Sequence, residues 1–441
     1  MTGALLLDRV EQPQGEAEPL APLVAALDVG VSKTVCLAAR RDPVLEMHPE
    51  RPLRVLGVGL QTAPAIASGK PADFDACARA IQVAIEEASA MAGAPIKRVV
   101  ASYAGPGMRA EIVRGAVRVK RGTVTGADVE NVLNAAMKSL PTPQISFLHV
   151  EPLSYSIDDG EPIADPHGHP GRMLSVEACV VTAPTEALNA LRACVQEAGA
   201  EVEDIVAAPK AAGIAALTPE EREEGVLVID LGAGATGVSV FVQDTLVHAE
   251  TISLGGVRLT RDLAAKLRTT FAAAERIKLH YGAVAGACDP SEAVQAPRIG
   301  EDGRLEASTT LRGTIIETLS PRLREMLLLV RERLSRAGFT REDGPQRVVL
   351  VGGGALTPGI RELAIETLGM PVRVGRPFEL CGFDHGDAGP AYAVAAGMLR
   401  HRFDNPSLED VEQGFQPSLA HLAAMMRDTA RGAWTWLREN F

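Results

Sequence analysis

Asp28, Gly30, Ser32 and Lys33 close one short apolar run, and Asp230, Gly232, Gly234 and Thr236 close another in the far half of the chain. Both are Asp-x-Gly turns, and their residue types suit phosphate chemistry. Glycine lets backbone N–H groups converge on anionic oxygens, and serine, threonine or lysine adds side-chain donors. Asp28 and Asp230 are expected to hold Mg²⁺ through its waters, because that ion sheds water reluctantly. A third cluster, Gly352-Gly353-Gly354, follows a buried apolar run and precedes a helix with proline near its first turn. Polyglycine at a helix N-terminus lets the backbone approach a flat ring and a phosphate. Glu275 and Lys278 share a helical face in AAAERIKLHYG (Ala272–Gly282). They read either as a surface ion pair of almost no energetic value or as a pair bonding ribose hydroxyls and an adenine edge.

Regular elements must position these residues. LVAALDVGVSKTVCLAA (Leu23–Ala39) reads as strand, tight turn, strand, and VLVIDLGAGATGVSVFV (Val226–Val242) repeats the pattern and continues through Thr245 to Leu254. RVVLVGGGALTPGIRELAIETLG (Arg347–Gly369) reads as strand, glycine turn, helix. Two similar hairpins predict a duplicated α/β domain with a cleft between its halves.

Composition sets the limits. The chain has 441 residues, 46% hydrophobic and 23% charged, an ordinary globular profile with length for two or more domains. The net charge of −12 argues against general nucleic-acid binding. Cys36, Cys77, Cys179, Cys194, Cys288 and Cys381 show no zinc spacing and read as reduced, mostly buried thiols of a cytosolic protein. Residues 1–22 read as a disordered leader, with Leu5–Leu7 too short for a signal peptide. His167 and His169 form a His-x-His pair with no nearby cysteine and read as a loop. Asp384, His385 and Asp387 read as a loop and cap before a helix over Gly389–Arg400.

The far end carries a separate signal. On a helical wheel, Met426, Ala430, Ala433, Trp434, Leu437 and Phe441 gather on one face, with Arg427, Arg431 and Arg438 along its edge. An apolar face with tryptophan and flanking arginines predicts a helix lying in an anionic lipid headgroup layer. The alternative is a terminal helix packed on the body. Residues 404–418 are polar, acidic and broken by two prolines, and they are predicted to be a mobile tether.

ALDVGVSK, VIDLGAGATGVSV, LVGGGA and GPAYAVAAGMLR resemble the phosphate-1, phosphate-2, adenosine and second connecting elements of the actin/Hsp70/sugar-kinase superfamily. Further motifs narrow the resemblance to the bacterial cell-division family FtsA. They are LHVEPLSYSIDD (Leu148–Asp159), ADP..G..G.ML across Ala164–Leu174, SLGGVRLTRDLA (Ser253–Ala264), AERIK and the terminal helix. The resemblance covers residues 23–400 and the tail. It implies an actin-like duplicated ribonuclease-H-type α/β fold with a nucleotide cleft. Subdomain 1A is expected over 23–101, 183–222 and 379–403, with subdomain 1C inserted over 102–182. Subdomain 2A is expected over 223–257 and 313–378, and 2B over 258–312. The tether (404–418) and the amphipathic helix (419–441) follow.

The resemblance also implies function. ATP and Mg²⁺ are the expected cofactors, bound by the Asp-x-Gly turns, Glu275, Lys278 and the glycine turn. The expected role is a filament on the cytoplasmic face of the inner membrane, at the division site. It would bind the tubulin-like protein FtsZ through 2B and late division proteins through 1C, and anchor the division ring to lipid. One departure bears on catalysis. The family run Asp-x-Gly-Gly-Gly-Thr-Thr-Asp is here Asp230-Leu231-Gly232-Ala233-Gly234-Ala235-Thr236-Gly237. Losing one hydrogen bond to a charged group costs about 1.5–3 kcal/mol. ATP binding is therefore expected with weak or absent hydrolysis, and no general base is assigned. The alternatives are a soluble phosphotransferase of the same superfamily, a pilus-assembly relative, and an Hsp70-like ATPase. The last would need a substrate domain for which the residues after Arg400 are too few.

Overall fold

A computed structural model describes residues 22–41, 53–62, 66–67, 70–71, 73–140, 144–339, 344–378, 380–382 and 386–405. The leader up to residue 21, the tether from residue 406, and the expected lipid-binding helix lie outside those residues. So do its Met426, Arg427, Arg431, Trp434, Leu437, Arg438 and Phe441, together with Asp384 and His385.

β1 (Val24–Val29) and β2 (Thr34–Arg41) form an antiparallel hairpin with Asp28 opposite Val35. β3 (Leu53–Gln61) extends it, and the short pair β4 (Ile66–Ala67) and β5 (Lys70–Pro71) follows. α1 (Phe74–Ala92) starts where the Asp73 side chain accepts the Ala76 N–H, and it stops at Gly93 in the left-handed region. Its Cys77, Ile81, Ala84, Ile85 and Ala88 recur at helical spacing and pack on the sheet. β6 (Arg98–Tyr103) then lies parallel to β1.

An insert follows: β7 (Arg109–Arg118), α2 (Gly126–Met137), β8 (Ile145–Ile157) and β9 (Met173–Pro184). A reciprocal Thr125–Asp128 capping box starts α2. Val113, Val132, Ala136, Tyr155, Leu174, Val176 and Ala178 form a core of the insert's own. Ser102 and Tyr103 close β6 rather than opening this insert, so the expected boundary at 102 moves past them. α3 (Thr185–Glu197), β10 (Glu201–Ala207), α4 (Ala208–Ala216) and α5 (Pro219–Glu224) complete the first half.

The second half repeats the scheme with β11 (Val226–Leu231), β12 (Thr236–Val242) and β13 (Thr245–Ile252). After α6 (Gly256–Leu267) and α7 (Phe271–Tyr281) come the small ribbons of β14 (Ala293–Gln295), β15 (Arg298–Ile299), β16 (Leu305–Glu306) and β17 (Thr309–Leu311). α8 (Arg312–Arg336), β18 (Val348–Val351), α9 (Ile360–Leu368) and β19 (Val372–Val374) close it. β20 (Leu380–Cys381) and α10 (Ala393–Asp404) return to the first half.

The duplication is explicit in the strand order. One sheet runs β10-β6-β1-β2-β3-β20 and the other β19-β18-β11-β12-β13-β7-β9-β8. β10, β6 and β1 are parallel, with β2 and β3 antiparallel, and β19, β18, β11, β12 and β13 repeat those directions. The insert joins the second sheet through the Glu250–Arg109 pair, although its sequence interrupts the first half. It is also tied to the first half. Buried His149 on β8 accepts the Ala207 N–H through Nε2 at 3.0 Å, and Lys210 on α4 bonds Glu151. α4 and α10 cross so closely that a methyl at Gly397 would lie 1.7 Å from the Ala211 carbonyl oxygen.

Three local expectations shift. The glycine turn is a 3₁₀ helix over Gly353–Leu356, and α9 starts at Ile360, so Pro358 precedes its first turn. Residues 386–392 also form a 3₁₀ helix, and α10 starts at Ala393 rather than Gly389. Pro390 lies inside that stretch and lacks the N–H an α-helix would use. Asp404 belongs to α10, 3.7 Å from Arg400 one turn back, so the tether starts after it.

Candidate functional site

β1 and β11 each end in a glycine turn, and the two turns approach each other. In the first hairpin the Gly30 N–H donates to the Lys33 carbonyl at 2.9 Å, and in the second the Gly232 N–H donates to the Asp230 carbonyl at 3.0 Å. The tips meet: a methyl on Gly234 would lie 2.2 Å from Val31 Cγ2. Ser32 is exposed at the first turn.

Asp28 and Asp230 sit beneath the tips, each partly accessible. The parallel register of β1 with β6 pairs Leu27 with Ala101, which places Ser102 beside Asp28. The Ser102 hydroxyl donates to Asp28 Oδ1 at 2.6 Å. Burial raises the Asp28 pKa against the opposing Ser102 hydrogen bond and Lys33 charge. Burial, then the charge of Asp28, pushes Asp230 up to about 7, with Lys33 opposing. Burial and mutual repulsion disfavour ionising both acids, and a cation beside them would favour it; an oxygen donor pair is of the type that Mg²⁺ accepts. Among the described residues no group of three or more His, Cys, Asp and Glu could enclose a metal. Lys33 is held between elements: its Nζ donates to the Ala391 carbonyl at 2.6 Å and stands 4.2 Å from the Tyr392 ring centroid.

Gly352 follows β18, whose Val351 pairs with Asp230. Its φ is +83°, and a methyl there would lie 2.2 Å from Asp230 Oδ1, so no other residue fits. Gly353 faces open space, with nothing within 4 Å of an added methyl, and Gly354 packs on Leu231. The sequence-based set is thus brought together at Asp28, Lys33, Asp230, Gly232, Gly234 and the glycine turn.

Thr236 departs from it. Its buried hydroxyl donates to the Leu254 carbonyl at 2.7 Å, fastening the hairpin to the chain before α6, and is turned away from phosphate duty. Glu275 and Lys278 are more than an exposed surface pair. They bond each other at 2.8 Å, Thr260 bonds both, and Lys278 also reaches the Gly256 carbonyl at 3.3 Å. Gly256 in turn donates to Gly232, so this cluster braces the second turn. Ser102, Tyr392 and Gly255-Gly256 were not singled out from the sequence as site residues. The glycine pair lies within the motif SLGGVRLTRDLA and Tyr392 within GPAYAVAAGMLR, whereas Ser102 reaches the site through strand register.

Room at the tips is small. A cavity of about 130 Å³ lies between Val31, Ser102, Tyr103, Gly234, Ala235 and Ser253. Typical small-molecule pockets are roughly 300–1,000 Å³. A wider hollow of about 860 Å³ lies on the insert's sheet, away from the two acids.

Comparison with known proteins gives a consistent answer. The family model described as "Cell division protein FtsA" matches residues 227–397, and the one described as "SHS2 domain inserted in FTSA" matches residues 105–182. Cell division protein FtsA of Rhizobium meliloti is 34% identical over 427 residues, covering 95% of each chain. Among solved structures, a PilM–PilN type IV pilus biogenesis complex aligns with TM-score 0.60 at 20% identity, over 86% of this chain and 98% of the other. MreB5 of Spiroplasma citri bound to ADP aligns with TM-score 0.51 at 15% identity, over 89% and 98%. These structures show an actin-like fold, and the sequence relatives name the branch: the chain belongs to the FtsA family of cell-division proteins.

Proposed function

We propose that the protein binds Mg·ATP between its two Asp-x-Gly hairpins, polymerises on the inner membrane, and anchors the FtsZ ring there. The observation that carries the nucleotide reading is the convergence of Asp28, Asp230, Lys33 and the open Gly353 at one locus. The bound ADP of the actin-like MreB5 structure is consistent with it. Asp28 and Asp230 would hold Mg²⁺ through its waters, and the ion would neutralise phosphate charge. Turn N–H groups and Lys33 would orient the phosphates, and Gly353 would leave room for a flat ring and a phosphate to approach. Hydrolysis is slow in this reading. Ala235 lacks a hydroxyl, that of Thr236 is engaged by Leu254, and no acid is assigned to activate water.

The remaining roles are part of the same proposal. Residues 258–312 contact FtsZ, and the insert contacts a neighbouring subunit and late division proteins. The helix at 419–441 binds anionic lipid at the division site. No described helix is long and apolar enough to cross a membrane, so attachment would come from a surface-lying segment. The test of the nucleotide reading is calorimetric titration of the full chain with ATP, with and without Mg²⁺. Magnesium-dependent saturation supports it, and no heat or displacement of a fluorescent ATP analogue at millimolar nucleotide rejects it.

A further inference from the structure

The short segment Pro390–Tyr392, where the chain returns from the second half to the first, is gripped from both sides. From the second half, the Gly352 N–H donates to the Pro390 carbonyl at 2.9 Å. From the first, Lys33 donates to the next carbonyl, Ala391, at 2.6 Å and lies against the Tyr392 ring. Each grip comes from a residue of the candidate phosphate site: Gly352 abuts Asp230, and Lys33 ends the first Asp-x-Gly turn. The hairpin tips are in contact at Val31 and Gly234. Phosphates seated between the tips would part them, and a turn of the halves about their connections is one way to do so.

We infer that Lys33 is the positioning residue through which phosphate binding moves this hinge: a phosphate draws its ammonium off the Ala391 carbonyl and frees the Pro390–Tyr392 segment to shift. The inference rests on the nucleotide reading above. A phosphate oxygen is the stronger partner, because its negative charge adds a direct Coulombic attraction to the ammonium that the neutral Ala391 carbonyl lacks. Burial already disfavours the charged amine, against the pull of Asp28 and Asp230, so a new anion beside it is strongly felt. Removing Lys33 would release the first-half grip on Ala391 while the Gly352 N–H still holds Pro390. A ligand can shift a conformational equilibrium only through contacts that differ between the two states, and this one differs.

The test is amide hydrogen exchange of the full chain with saturating Mg·ATP, read at peptides covering Gly352–Gly354 and residues 386–400. In the unmodified protein, nucleotide should change exchange at both. Lys33→Met should bind ATP roughly tenfold to a hundredfold more weakly. At saturation it should leave both peptides as they are without nucleotide. Lys33→Arg, which keeps a cationic donor, should recover at least half of the response. A full hinge response in Lys33→Met, or an arginine variant no better than the methionine one, overturns the inference while the nucleotide site stands. The same holds if the unmodified protein binds ATP with no change at these peptides. If it binds no ATP, both readings fall. If Lys33→Met binds none, Lys33→Arg decides: a response supports the inference, and binding without one overturns it.

Discussion

A carboxylate at position 353 would stand in open space, so it should leave folding intact while opposing an incoming phosphate. Like charges brought together in a binding site cost several kcal/mol. Gly353→Asp is therefore expected to weaken ATP binding by roughly two orders of magnitude or more, with an unchanged melting temperature. Titration and thermal unfolding on one preparation check both halves of that statement. His149 supports a second prediction. Burial, and then the charges of Lys210 and His401, hold its pKa well below the usual value. The neutral ring accepts the Ala207 N–H and has His401 5.7 Å away, with His401 itself 3.3 Å from Asp204. The unfolded chain takes up a proton near pH 6.5 where the native ring does not, so stability is present above that pH and is lost as pH falls below it. His149→Gln keeps an acceptor and removes the titration. Its denaturation midpoint should fall less between pH 7 and 5 than that of the unmodified protein, and equal slopes would exclude His149 as the cause.

Among elements, the crossing of α4 and α10 sets the tightest demand. The Gly397 position leaves a side chain no room against Ala211, and the obstacle is backbone, which cannot swing aside as a flexible side chain would. Gly397→Ala should therefore destabilise the protein by about 1–3 kcal/mol despite alanine's better helix propensity, as overpacked cores do. Urea denaturation measures it, and a neutral or stabilising result would mean the two helices can slide. These helices lie where the chain passes between the halves, so their spacing bears on the hinge as well as on stability. The insert illustrates a different control. Its own core and helix cap could sustain it locally, yet β7 adds to the second-half sheet and His149 on β8 is bonded to the first half.

For the whole molecule, the prediction concerns attachment. Lipid binding is proposed to reside in the final residues, because Trp434, Leu437 and Phe441 fall on one wheel face edged by Arg427, Arg431 and Arg438. The full chain should float with anionic liposomes, while a chain ending at Ser418 should not. Trp434→Glu should likewise abolish flotation, because it puts a charge into the apolar face, and should leave ATP binding unchanged. Flotation of the shortened chain would move lipid binding to the body. The three arginines contribute roughly 1 kcal/mol each near an anionic surface, so salt should weaken attachment only mildly.

The turns that shape the candidate site were legible in residue order because their signals are local. Asp28-x-Gly30 and Asp230-x-Gly232 announce turns after apolar strands, and Gly352 must be glycine where φ is positive and Asp230 lies against it. Duplicated hairpins predicted a duplicated fold, and the matching strand directions of the two sheets bear this out. The helix expected from Gly389 starts at Ala393 instead, because residues 386–392 form a 3₁₀ turn of the kind common at helix N-termini. Other facts needed three dimensions. Ser102 reaches Asp28 only through the parallel register of β6 with β1, and Lys33 meets Ala391 only because the chain returns from the far half. Thr236 looked like a phosphate donor until Leu254 was seen to accept its hydrogen bond. Local sequence determines which turns and donors exist, since backbone sterics act over a few residues. Which acceptor each donor finds depends on contacts between segments distant in the chain, and those are set by packing the two halves together.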